Sequence, residues 1–150
     1  MSWEMETANS VNDITKYWNH QIHLWLKNYV QQRVVKPGTR AGMKENLLVF
    51  MTSAFWHGFY PFYYVMFLFS YLFAEITKDV YRSRILVQWI PYPVRYAITW
   101  FFTYMIMNYL AMGFNQLTFE KGGNFLKSTH YFGYIFIIVV FTLLRFSGVV

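Results

Sequence analysis

Charged side chains are unevenly spread along this chain, and three long stretches have none: Asn46 to Ala74, Tyr96 to Phe119 and Ser128 to Leu144. The first two exceed the roughly 20 residues that a helix needs to cross a hydrocarbon core about 30 Å thick, and the third sits at the short end of that range. Each reads as a membrane-spanning helix, the third with Lys127 and Arg145 as interfacial anchors. Ahead of them, "ITKYWNHQIHLWLKNYVQQRVV" (residues 14–35) sets Ile14, Trp18, Ile22, Trp25, Tyr29 and Val30 at helical spacing. Lys16, Lys27, Asn28 and Gln31 lie elsewhere around the wheel. This pattern predicts an amphipathic helix against the membrane, after a polar N-terminal segment of residues 1–13.

Helix breakers punctuate the same pattern. Pro37 and Gly38 end the amphipathic helix, and Gly42 adds a second weak point. The stretch "YRSRILVQWIPYP", with Pro91 and Pro93, joins the first two spans, and "EKGGN" joins the second to the third. There is no internal repeat. The expectation is an all-α, polytopic membrane protein in a single domain, residues 1–150: an amphipathic interfacial helix followed by about three transmembrane helices.

Composition strengthens the membrane reading: 56% of the 150 residues are hydrophobic and 23% aromatic. A formal charge of +6 would otherwise raise nucleic-acid binding, yet the basic residues cluster where lipid headgroups lie. Arg33, Lys36, Arg40 and Lys44 precede the first span, and Lys78, Arg82, Arg84 and Arg95 stand between the first and the second. Nucleic acid is therefore not an expected partner. With no cysteine in the chain, disulfides, thiolate metal sites and a cysteine nucleophile are excluded. The opening "MSWEMETANS" has no basic region followed by an apolar core, so insertion is expected to rely on the internal spans.

One residue disturbs the first span. His57 stands inside "SAFWHGFYPFYY", residues 53–64, and an ionisable group within lipid is tolerated only where it faces other helices or a water-filled cavity. Pro61 cannot donate a backbone hydrogen bond, so a kink or break is expected just beyond His57. Other polar features are plainer. His20 and His23 make at most half a metal site, with no further ligand at a completing spacing, so no metal is expected. His130 reads as an interfacial side chain, and Glu75, Lys78, Asp79 and Arg82 read as a solvated helix end.

Taken together, "YWNHQIHLWLKNYV", "KPGTRAG" and "SAFWHGFYPFYY" resemble, in order and spacing, the lysophospholipid acyltransferase branch of the membrane-bound O-acyltransferase family. The matching residues are Trp18, Asn19, Trp25, Leu26, Tyr29 and Val30, then Lys36, Pro37, Gly38, Arg40, Ala41 and Gly42, then the segment around His57. The resemblance implies that Asn19 and His57 are the catalytic pair. Trp56 and Tyr60 read as packing or interface residues that flank the site closely enough to line the substrate channel, and Phe62 as a bulky ring beside the expected kink that could narrow it. Two departures stand out: Phe62 replaces a glycine usual in the branch, and Ile22 and His23 occupy positions that often carry Thr and Asn.

The implied activity is transfer of an acyl chain from acyl-CoA, as co-substrate, to a lysophospholipid hydroxyl, with no bound cofactor. That chemistry suits a neutral imidazole as base, and an asparagine either as an orienting group or as a donor to the oxyanion. A helix cap is the alternative reading of Asn19. Members of the family run to several hundred residues, and the resemblance is to their C-terminal portion. Completion of the site by further sequence or by a second membrane chain is therefore expected. The alternative is a shortened, inactive relative serving as a structural subunit of a larger membrane assembly. The branch implies residence in the endoplasmic reticulum.

Overall fold

A computed structural model describes residues 3–83 and 88–147, all of whose regular structure is helical. Arg84, one of the flanking basic residues, lies outside the described residues. A short helix α1 (Trp3–Glu6) leads to α2 (Val11–Trp18), α3 (His20–Trp25), a π-helical segment (Leu26–Gln31) and α4 (Gln32–Val34). There follow α5 (Met43–His57), α6 (Pro61–Arg82), α7 (Tyr92–Ala111) with a 3-10 turn (Met112–Asn115), α8 (Phe119–Ser128) and α9 (Phe132–Phe146).

The N-terminal segment is a strap pinned across the helices. Ser10 caps α2, accepting from the Asp13 N–H at 3.2 Å, and Val11 is fully buried in the core. Backbone carbonyls of the strap accept from side chains of α7: Glu6 from Trp100 Nε1 at 2.7 Å, Thr7 from the Tyr96 hydroxyl at 2.8 Å and Asn9 from Thr103 Oγ1 at 3.2 Å. These three donors hold the strap against α7.

The amphipathic stretch at 14–35 is not one helix. Asn19 leaves the helical region (φ −147°, ψ 83°), ending α2 and starting α3. Seven residues later, at Leu26, the backbone switches to π-helical bonding, which re-phases the faces of the segment.

The stretch 46–74 is likewise two helices. Gly58 adopts φ +124°, open to glycine alone at low cost, and closes α5 through its N–H to Phe55 O at 3.1 Å. Pro61 then opens α6 at its first position, where its missing N–H costs nothing. By its 15 residues α5 is about 22 Å long, too short to span the core alone, and the second half of α6 carries Glu75, Lys78, Asp79 and Arg82.

Pro91 and Pro93 do not interrupt but initiate: they stand at the N-cap and in the first turn of α7. The "EKGGN" connector is helical, lying within α8. Thr118 caps it by accepting from the Lys121 N–H at 3.3 Å, and the Phe62 ring fills the notch at Gly122. An 82° bend, with His130 and Tyr131 at positive φ, separates α8 from α9. By length and composition, residues Tyr92–Asn115 can cross a membrane, as can α8 and α9 if the bent pair counts as one span.

The hydrophobic core is built on α6. Met66, Phe73, Ala74 and Ile76 meet Ile106 and Leu110 of α7, Tyr134 and Ile137 of α9 and Val11 of the strap. Phe69 stacks on Tyr134 with ring centroids 3.9 Å apart.

Candidate active site

The "WHG" and "WN" segments each terminate a helix, and each thereby presents a polar side chain. His57 is the last residue of α5, so its imidazole stands at the helix end and not along its flank. Phe67 of α6 and Phe114 of the 3-10 turn bracket the ring, with centroids 5.2 and 5.3 Å from it, and Tyr63 lies edge-on at 6.5 Å. The Tyr63 hydroxyl donates to Phe114 O at 3.4 Å, tying two walls of this aromatic setting together. Among the described residues no hydrogen-bonding group engages either imidazole nitrogen.

Asn19 is a cap: its Oδ1 accepts from the Ile22 N–H at 3.2 Å. That bond orients the amide and uses only its acceptor. The Nδ2 group, a two-proton donor, has no partner among the described residues. The capping reading and the donor reading of Asn19 are thus compatible.

Both residues line one cavity of about 1010 Å³, together with Trp56, His20 and His23. Trp56 meets Trp25 of α3 with centroids 5.5 Å apart, joining the two segments beside the cavity. Burial lowers the pKa of His23, and Lys27, His20 and Lys16 act in the same direction, so its neutral form is favoured. Tyr60 and Phe62 are not among the lining residues. Tyr60 packs edge-on against Tyr63, and Phe62, only 2% exposed, points into the Gly122 notch of α8. The bulk at Phe62 is absorbed by a glycine on a neighbouring helix.

The far end of the cavity holds a polar cluster that the sequence pattern misassigned. Glu75 and Asp79 are buried, 3% and 1% exposed, and so are no solvated helix end. Arg145 of α9 reaches back to both, with Nε 2.9 Å from Asp79 Oδ2 and Nη2 3.5 Å from Glu75 Oε2. Lys78 adds a 2.7 Å pair to Glu75, and Asn46 Nδ2 donates to Glu75 Oε1 at 3.1 Å. Partners 66 and 29 residues away bring this about, beyond the reach of any local spacing rule. The one sequence signal was Arg145 itself, a charge at the end of the most apolar helix.

A helix-end histidine and a helix-capping asparagine thus face one cavity in an all-helical, strongly apolar chain. The chain belongs to the membrane-bound O-acyltransferase family, whose model matches residues 1–119. It is 35% identical over 145 residues to lysophospholipid acyltransferase 2 of Arabidopsis thaliana, covering 93% of this chain and 30% of that protein. It is 33% identical over 144 residues to membrane-bound glycerophospholipid O-acyltransferase 1 of Mus musculus, covering 92% and 27%. With the lysophospholipid acyltransferase of Saccharomyces cerevisiae the identity is 31% over 160 residues, covering 97% and 25%. The chain therefore spans between a quarter and a third of the length of the curated relatives it matches.

Proposed function

We propose that this chain carries the reactive centre of a lysophospholipid acyltransferase that draws acyl groups from acyl-CoA, within a polytopic membrane protein of the endoplasmic reticulum. The observation that carries the reading is that His57, at the end of α5, and Asn19, at the junction of α2 and α3, line the same cavity. The names of the relatives support the acceptor class, and the apolar faces exposed along α7 and α9 (Ile98, Phe101, Ile135, Ile138, Val139) suit lipid or neighbouring membrane helices.

His57 acts as the base. Its neutral imidazole takes the proton of the lysophospholipid hydroxyl as that oxygen attacks the thioester carbonyl. The carbon–sulfur bond then breaks, and the proton passes to the departing thiolate of coenzyme A. Phe67 and Phe114 bracket the ring on two sides, and its unengaged nitrogens remain available to the hydroxyl. Asn19 Nδ2 donates to the oxyanion formed during attack, pre-oriented because Oδ1 is held by the Ile22 N–H.

The test is transfer from labelled acyl-CoA to a panel of lysophospholipids by the full-length protein, beside His57→Ala. Loss of turnover in a variant that accumulates normally supports the reading. Equal turnover in the two proteins overturns it.

A further inference from the structure

Asn46 is the point at which three elements meet. Its Oδ1 accepts from Gln31 Nε2 at 3.0 Å, and its Nδ2 donates to Glu75 Oε1 at 3.1 Å. Gln31 is the last residue of the π-helical segment, Asn46 lies in the first turn of α5 and Glu75 is buried in α6. A single amide thus links the element that begins at Asn19, the element that ends at His57 and the central helix.

The spacing of these residues matters. Gln31 follows Asn19 by 12 residues and Asn46 precedes His57 by 11. The two arms run antiparallel, since Gln31 meets Asn46 while Trp25 meets Trp56. At about 1.5 Å per residue, His57 stands roughly 16 Å above the amide rung. Asn19, at the start of the other arm, lines the same cavity. A slip of either arm by one helical turn would separate them.

We infer that Asn46 is a positioning residue: its paired amide bonds to Gln31 and Glu75 set the register of the two arms that bring Asn19 and His57 to one cavity, and anchor both arms to α6. Glu75 can serve as the anchor because Arg145 and Lys78 hold it. A carboxylate so paired is fixed in place and offers its remaining acceptor capacity to Asn46. This inference rests on the proposed roles of Asn19 and His57, and one arm of its test does not depend on turnover.

In the full-length protein, Asn46→Ala removes both amide bonds and leaves every ion pair of Glu75 in place. The expected result is a fall of about tenfold in kcat with KM for both substrates unchanged. Gln31→Ala does the same, and the double variant falls no further, since the two residues act as one unit. Exchanging the pair, as Gln31→Asn with Asn46→Gln, rebuilds an amide bond of the same total length and restores kcat. Independently of turnover, Asn19→Cys with His57→Cys is treated with a short bifunctional thiol reagent, any cysteine outside these 150 residues having first been replaced. The chain itself contains no other cysteine. Cross-linking is expected to drop severalfold when Asn46→Ala is added. Unchanged cross-linking overturns the register role whatever the kinetics. Absence of turnover in the parent protein, with cross-linking still dependent on Asn46, leaves the register role standing and overturns the proposed activity instead.

Discussion

The two ends of the cavity treat polar groups in opposite ways. At one end Glu75 and Asp79 are almost wholly buried and matched by Arg145 and Lys78 from α9 and α6. At the other, His57 and Asn19 face the cavity, His57 within aromatic rings, and their donor and acceptor capacity is left largely unspent. Burial of a charge is tolerated only with a partner, so the acidic end is built for cohesion. An imidazole and an amide survive beside rings without being ion-paired, so the other end keeps its hydrogen-bonding capacity for a substrate.

The largest expected effect lies at the open end. His57→Ala should lower turnover by about 10²–10⁴-fold, the range for a lost general base, with thermal stability unchanged. Asn19→Asp keeps the acceptor that caps α3 and removes the Nδ2 donor. It should cost about 10²–10³-fold in kcat, while melting temperature stays within a degree or two of the parent. An unchanged kcat in Asn19→Asp would make the residue a cap and nothing more.

At the closed end the signature reverses. Arg145→Ala takes from buried Asp79 its ion-pair partner and from Glu75 one of two, and should destabilise by about 3–5 kcal/mol, read as a lower melting temperature in detergent. Less thermal loss there than from His57→Ala would break the contrast between the two ends.

Two glycines test the scaffold between them. Gly122→Ala sets a methyl against the Phe62 ring and should cost about 1–3 kcal/mol by overpacking. Phe62→Leu in the same protein should recover part of that loss. Gly58→Ala places a side chain at φ +124°, a strain of about 1–3 kcal/mol, and the adjacent His57 should lose activity along with stability.

Sequence and structure agree closely on some elements and part on others, for identifiable reasons. The break after His57 was legible because glycine and proline act on their own backbone: Gly58 supplies the left-handed φ and Pro61 restarts the helix. The helix of α7 was legible from its uncharged run, though Pro91 and Pro93 turned out to open it. The helix through "EKGGN" was not legible, because Gly122 and Gly123 disfavour a helix locally and only Phe62, packed from α6, makes the small residue useful. Glu75 and Asp79 at helical spacing from Lys78 and Arg82 looked like a solvated end for the same reason: the deciding partner, Arg145, is 66 residues away from Asp79.

By itself, then, the sequence determined the all-helical class and the break after His57, because these depend on local backbone freedom and on runs of apolar side chains. Tertiary structure alone decided that the Asn19 and His57 elements share a cavity, that Phe62 turns away from it into α8, and that Arg145 neutralises the acids of α6. Each of those outcomes rests on contacts between segments far apart in the chain, where packing and the cost of burying an unpaired charge outweigh any local preference.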